Sequence, residues 1–177
     1  MPMLDILRHA QRRSIDDQQS ALSTEGIAMC ERLAKKMPTY ALVVSSPLPR
    51  AKETAQRIAG RLDAVEAGLL PDLGGQAAQL FGEMRTLADW DRLMGQDAAA
   101  RKFADEQLPV WTRLASRVGD NDRVLAISHG GIVDLPAIAI MKKLGIAIDG
   151  ASFGYCEGVR ITYAGGQPTA VAMLRSQ

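Results

Sequence analysis

The stretch RVLAISHGG, residues 123–131, joins a run of apolar residues to a histidine and two glycines. Its first six residues predict a buried β-strand, because the run is short, continuous and rich in aliphatic side chains. The glycines lead into residues 132–144, which are apolar nearly all round and predict a buried helix that ends before Gly145. The stretch therefore predicts a strand that turns directly into a helix.

The same order of strand and helix extends through the amino-terminal part of the chain. Apolar runs predict strands at Met3–Leu7, Ala41–Ser45 and Val65–Leu70. Apolar stripes at helical spacing predict a helix over residues 27–37 and another over residues 51–62. Strands that alternate with helices favour an α/β fold with a mostly parallel sheet.

The pattern changes after residue 70. Two apolar stripes predict a helical insert at about 71–120, in two or three pieces and broken near Pro109. The carboxyl-terminal part predicts three strands without intervening helices, at Ala151–Glu157, Val159–Tyr163 and Thr169–Leu174. We therefore expect a three-layer α/β fold, with helices on both faces of the sheet, a helical insert and an antiparallel edge.

Length and composition narrow the classes of protein. The 177 residues suit a single domain, residues 1–177. With 21 basic and 20 acidic residues, the net charge of +1 argues against a nucleic-acid partner. A zinc cluster would need nearly all of the two cysteines and two histidines to converge, and their spacing is not of the metal-binding type. Two cysteines in a chain of this length also argue against a disulfide scaffold. We see neither a secretory signal nor a membrane-spanning run, and expect a cytoplasmic protein without a membrane partner.

Both histidines follow predicted strands directly, beside arginine or glycine. Arg8 and His9 end the first strand, His129 ends the strand of residues 123–128, and Arg50 follows the second strand. In a parallel sheet these strand ends share one edge, where ligands bind and helix amino termini favour anions. Each residue alone is most often structural or solvated. Together they predict a site for a dianion such as phosphate.

Four segments carry a family resemblance, namely RHA at 8–10, LSTEG at 22–26, SSPLPRAKETA at 45–55 and SHGG at 128–131. In this order they resemble the signature segments of the histidine phosphatase superfamily, which includes phosphoglycerate mutases and many phosphatases. The resemblance spans residues 3–135. It implies a phosphatase whose substrate is a small phosphomonoester or a protein phosphohistidine.

The resemblance also implies a role for each residue of the predicted site. His9 would be the nucleophile that becomes phosphohistidine, and Arg8, Arg50, His129 and Gly130 would bind the phosphate. Flanking guanidinium groups favour the neutral imidazole that a nucleophile needs. The arginines and His129 supply the positive charge, so neither a metal nor another cofactor is expected.

The proton donor for the leaving group departs from the family pattern. In the branch that the chain most resembles, a glutamate follows shortly after a three-residue sequence of proline, an acidic residue and leucine. Here no acid follows residues 71–73, PDL, until Glu83. Glu83 is therefore the first candidate for the general acid, Asp72 the second and Asp134 the third.

A second departure lies after His9, where residues 11–14, QRRS, replace the polar residues usual in the family. Substrate contacts at this edge therefore stay open. Two alternatives to a phosphatase also stay open: a phosphate-binding protein that has lost the general acid, and a phosphoglycerate mutase-type phosphotransferase. The chain has little length for the segments that would shield a mutase intermediate from water.

Overall fold

A six-stranded mixed sheet forms the centre of the computed structural model, which describes residues 1–70 and 72–176. The strands are β1 (Met3–Arg8), β2 (Leu42–Ser45), β3 (Ala64–Val65), β4 (Arg123–Ser128), β5 (Gly158–Ala164) and β6 (Gln167–Leu174). Their order across the sheet is β3-β2-β4-β1-β5-β6. The first four of these are mutually parallel, and β5 and β6 are antiparallel at the edge.

Helices cover both faces of this sheet. They are α1 (Thr24–Ala34), α2 (Pro49–Ala59), α3 (Gly75–Leu80), α4 (Leu87–Gln96), α5 (Ala98–Ala115) and α6 (Asp134–Lys143). Alternate strand residues face opposite ways, so Ile6 packs in the cluster with α4, α5 and α6, and Leu7 packs in the cluster with α1 and α2. The expected α/β class with an antiparallel edge is confirmed. None of the helices in the described ranges is long and apolar enough to cross a membrane.

The loop after β1 is held against the start of α1. Ser23 caps this helix, because its Oγ accepts a hydrogen bond of 3.0 Å from the backbone N–H of Gly26. A Cβ atom at Gly26 would lie 2.1 Å from the carbonyl oxygen of Gln11. Only glycine therefore allows the loop and the helix to approach this closely.

The helix α5 continues through Pro109, so the predicted break near this residue is wrong. Proline removes one hydrogen bond within the helix, here to the carbonyl group of Asp105. Both residues are exposed, so water can satisfy that carbonyl group. Phe103 and Trp111, on either side of the proline, are buried on one face, and their burial favours a continuous helix.

Two predicted strands are also wrong in extent. The third strand covers only Ala64–Val65, and a 3₁₀ turn, Ala67–Leu69, follows it. The side chain of Glu66 caps this turn by accepting from the N–H of Gly68. Residues 151–157 form a loop with one isolated bridge instead of a strand, and both backbone groups of Phe153 bind side chains, those of Asp134 and Arg8.

A buried carboxylate connects strand β1 to its surroundings. Asp5 has no exposed surface and accepts hydrogen bonds of 2.7 Å from Arg160 Nε, Arg160 Nη2 and the hydroxyl of Tyr40. Burial, and then the charge of Asp5, raise the pKa of Tyr40, so its hydroxyl stays protonated and keeps donating. The cluster joins β1 to β5 and to the segment before β2.

Removal of the guanidinium would leave the Asp5 carboxylate buried without its charged partner. We expect Arg160→Met to lower the free energy of unfolding by about 3 kcal/mol in chemical denaturation. Lys102→Met removes one partner of the exposed Lys102–Glu106 pair and should cost less than about 0.5 kcal/mol. Equal losses in the free energy of unfolding for the two variants would show that the buried pair stabilises the fold no more than the exposed pair.

Candidate active site

A cavity of about 250 Å³ opens at the carboxyl ends of β1, β2 and β4. Its lining includes five of the six residues predicted for the site, namely Arg8, His9, Arg50, His129 and Gly130. The two histidines follow β1 and β4, which are parallel neighbours in the sheet. Their ring centroids are therefore only 5.1 Å apart, although the residues are far apart along the chain.

The His9 ring is held in one tautomer. Its Nδ1 lies 2.7 Å from the carbonyl oxygen of Ala10, which can only accept, so Nδ1 carries the proton and donates. The lone pair is then on Nε2, which accepts a hydrogen bond of 3.1 Å from Arg50 Nε. The nitrogen with nucleophilic character thus points at a guanidinium group.

Both imidazoles are neutral at physiological pH. Burial, with smaller contributions from His129, Arg50 and Arg8, lowers the pKa of His9 to about 2. Burial and the same arginines lower the pKa of His129 to about 3. His129 Nε2 lies 2.7 Å from the hydroxyl of Ser46, and its buried Nδ1 has no hydrogen-bond partner among the described residues.

The side chain of Arg50 lies between His9 and the loop that follows β1. It comes from the first turn of α2, where Pro49 is suited to the first helical position. Its Nη1 donates a hydrogen bond of 2.8 Å to the carbonyl oxygen of Gln18, and its Nη2 donates a hydrogen bond of 3.2 Å to Gln18 Oε1. Thr54, one turn later, donates to the Arg50 carbonyl oxygen and accepts from the N–H of Ala10. This contact ties α2 to the residue after His9.

The guanidinium of Arg8 stacks on an aromatic ring and donates to one backbone carbonyl group. It lies 4.4 Å from the ring centroid of Tyr155, and its Nη1 donates 3.2 Å to the carbonyl oxygen of Phe153. Its Nε is buried and finds no partner in the described part of the chain. A Cβ atom at Gly130 would lie 3.2 Å from this Nε and 2.9 Å from Phe81, so glycine is needed there.

Asp134 organises the backbone beside Arg8. It is fully buried, and its two oxygens accept from the N–H of Gly131 at 2.8 Å and of Phe153 at 2.9 Å. Burial raises the pKa of this carboxyl group, while the two backbone donors oppose the change. Because Phe153 also accepts from Arg8, Asp134 positions that arginine through the loop of residues 151–157.

Neither of the first two candidates for the general acid lines the cavity that contains His9. Glu83 is exposed and lines a neighbouring cavity with Leu80 and Arg92. Residues 81–83 form a 3₁₀ turn, in which side chains two residues apart point in different directions, so Phe81 enters the His9 cavity and Glu83 does not. Asp72 is also exposed, and its Oδ1 accepts from the N–H of Gly74.

Sequence reasoning missed several residues of the cavity lining. Arg12, Gln18, Phe81 and Tyr155 all line it. The stretch QRRS after His9 contained a signal for Arg12, because it adds positive charge close to the nucleophile. No local signal marks Tyr155, since it arrives from the loop between α6 and β5.

Comparisons with known proteins identify the family of the chain. The family model of the histidine phosphatase superfamily (branch 1) matches residues 4–175. The chain therefore belongs to the histidine phosphatase superfamily. No curated protein matches it.

Several solved structures share the fold. A phosphoserine phosphatase from Entamoeba histolytica, in complex with 3-phosphoglyceric acid, has 18% identity and a TM-score of 0.72, with 100% of this chain and 98% of that chain covered. A mycobacterial glucosyl-3-phosphoglycerate phosphatase has 22% identity and a TM-score of 0.63, with 97% and 96% covered. A phosphoglycerate mutase from Bacillus anthracis str. Sterne has 16% identity and a TM-score of 0.65, with 98% and 92% covered. At these identities the similarity establishes a common fold.

The two lowered histidine pKa values make the stability of the protein depend on pH. Near pH 6.5 histidines of the unfolded chain take up protons, whereas His9 and His129 in the folded chain stay neutral down to about 2 and 3. The contribution of the two neutral histidines to the free energy of unfolding is complete above pH 6.5. It is lost as the pH falls towards their pKa values in the folded chain. From about pH 7 to about pH 5 the free energy of unfolding should fall by about 2 kcal/mol for each histidine.

Chemical denaturation across this pH range checks the expectation. A His129→Gln variant should lose about half of the pH dependence, and the double variant with His9→Gln should lose most of it. An unchanged slope in the double variant would assign the pH dependence to other groups.

Proposed function

We propose that the protein hydrolyses a phosphorylated substrate through a phosphohistidine formed on His9, without a metal ion. One observation carries the proposal: the neutral His9 Nε2 lies in a cavity whose arginines Arg8 and Arg12 each keep a buried nitrogen without a hydrogen-bond partner among the described residues. A nucleophilic nitrogen surrounded by anion-binding donors suits phosphoryl transfer, because electrostatic stabilisation is the main requirement of that reaction.

In the first step, His9 Nε2 attacks the phosphorus atom and forms an N–P bond. The bond from phosphorus to the leaving group breaks, and the leaving group takes the bonding electron pair and then a proton. Arg50 Nε must release Nε2 before the attack, and it can then donate to a phosphoryl oxygen. Arg8, through its unpartnered Nε, and the ring of His129 are the other groups proposed to bind these oxygens.

In the second step, water attacks the phosphorus atom of the phosphohistidine. The N–P bond breaks, its electron pair returns to Nε2, and inorganic phosphate leaves. Burial, and then the neighbouring positive charge, keep the pKa of His9 low, so the next cycle can begin without a proton transfer from the imidazole.

The proton for the leaving group is the weak point of this chemistry. Among the described residues that line the cavity there is no carboxylate, and the only hydroxyl group is that of Tyr155. A leaving group that needs little protonation, such as a phenolate or the imidazole of a phosphohistidine, therefore suits the site best. The same observation favours one alternative function, a phosphate-binding protein without turnover.

Replacement of the nucleophile separates the two functions. We expect His9→Ala to abolish hydrolysis of p-nitrophenyl phosphate, because no other imidazole can take the same position. Glu83→Gln is a matched control, which should stay within about twofold of the parent because Glu83 lies outside the cavity. Acid-quenched protein should carry acid-labile phosphate in the parent and none in His9→Ala. Turnover that survives in His9→Ala would refute the proposal, and a parent that binds phosphate without turnover would support the alternative.

The leaving group should control the rate. We expect a phosphorylated imidazole and the aryl ester to be cleaved at least about 100-fold faster than an alkyl phosphate, the span usually attributed to a general acid. Arg50→Ala should lower kcat/KM for all three substrates, by an amount that corresponds to about 3 kcal/mol of lost transition-state stabilisation, because it removes charge stabilisation common to them. Similar rates on aryl and alkyl esters would mean that a proton donor does act in this cavity.

A further inference from the structure

We propose that Arg12 binds a second anionic group of the substrate, a carboxylate or another phosphate, next to the phosphoryl group on His9. The inference rests on the proposed function, since it extends the substrate class of the same cavity. Arg12 lines this cavity together with Arg8, His9 and Arg50. Its Nη1 is buried and meets no hydrogen-bond partner within residues 1–70 and 72–176, so a charged donor is available to a ligand.

The backbone of this arginine is held in place. Arg12 forms an isolated antiparallel bridge with Leu22, and the N–H of the next residue donates 2.9 Å to the carbonyl oxygen of Ala21. Two residues on, the N–H of Ser14 donates 2.9 Å to the hydroxyl of Ser20. These contacts fix the position from which the side chain reaches the cavity, so its charge is preorganised for binding.

The charged residues that line the cavity favour a ligand with more than one anionic group. A phosphate dianion balances two guanidinium groups, and Arg8 and Arg50 supply them. The imidazoles are neutral, and among the described lining residues no carboxylate compensates Arg12. Burial lowers the pKa of Arg50 to about 10, and the charge of Arg12 is the next largest cause of this change. A ligand with a further negative charge removes this repulsion, whereas a simple monoester leaves it.

The cavity also has apolar surface that a short carbon skeleton can contact. Ile15 and Leu70 line it and supply part of this surface. A compound with two anionic groups a few carbons apart can therefore contact Arg12 at one end and His9 at the other. The family pattern does not supply this contact, since residues 11–14 depart from it.

A matched pair of ligands tests the proposal by binding, independently of any turnover. Glycerol 3-phosphate and 3-phosphoglycerate have the same phosphorylated carbon and differ in a hydroxymethyl group against a carboxylate. We would measure their dissociation constants by isothermal titration calorimetry in His9→Gln, which cannot consume them. 1,3-Propanediol bisphosphate against its monophosphate tests a second phosphate in place of the carboxylate.

Three further variants in the His9→Gln background locate the effect. In each pair the ligand with two anionic groups should bind about tenfold more tightly than its matched monoester. Arg12→Gln should reduce this ratio to near one, and Arg12→Lys should keep part of it. Arg13→Gln removes the same charge from the exposed neighbour and should leave the ratio unchanged.

Two outcomes would overturn the assignment. Equal weakening of both ligands in Arg12→Gln would make Arg12 a ligand of the phosphoryl group, and an equal effect of Arg13→Gln would reduce the contact to long-range attraction. Whichever arm, carboxylate or bisphosphate, has the larger ratio identifies the second group. Failure of the proposed hydrolysis would appear separately, as absent turnover in the protein with His9 intact.

Discussion

The hydrogen bond from Arg50 Nε to His9 Nε2 is the interaction on which the site depends. An imidazole can accept from a guanidinium only when it is neutral, and this one is neutral because it is buried beside positive charge. The bond holds the ring in the tautomer that the Ala10 carbonyl group selects, so lone pair and proton have fixed positions. The rest of the cavity preserves this arrangement: Gln18 fixes the guanidinium, and Thr54 ties its helix to Ala10.

The surroundings of two charged residues of β1, Asp5 and Arg8, differ in opposite ways. At Asp5 a buried carboxylate is paired with Arg160 and bonded to Tyr40, so its charge is compensated within the fold. Three residues later, at Arg8, the strand enters a cavity whose described lining has three guanidinium groups and no carboxylate. The loop beside Arg8 is restrained by the backbone contacts of Asp134. The positive charge of this lining is therefore held in place for a ligand.

The sequence was sufficient for residues that strands deliver and insufficient for residues that loops deliver. His9 and His129 follow strands that are parallel neighbours, and this topology brings them together whatever the loops do. The sequence made Glu83 the first candidate for the general acid. A 3₁₀ turn, however, directs the side chains of Phe81 and Glu83 to different cavities. The residues around Phe153 resembled a strand because they are apolar, whereas their backbone groups bind Asp134 and Arg8. Such side-chain contacts have no signature in local periodicity.

The described lining of the His9 cavity has no carboxylate and three arginines, and these two features have one physical explanation. A carboxylate close enough to protonate a leaving group would also attract Arg12 or Arg50 and would raise the pKa of His9. The cavity without it keeps His9 neutral and keeps its positive charge for the ligand. A site of this kind gains most from a substrate that brings extra negative charge and a leaving group that departs without help. Substrate charge and leaving-group chemistry are therefore linked consequences of the same electrostatic field, and Arg12 is where that field exceeds what one phosphate needs.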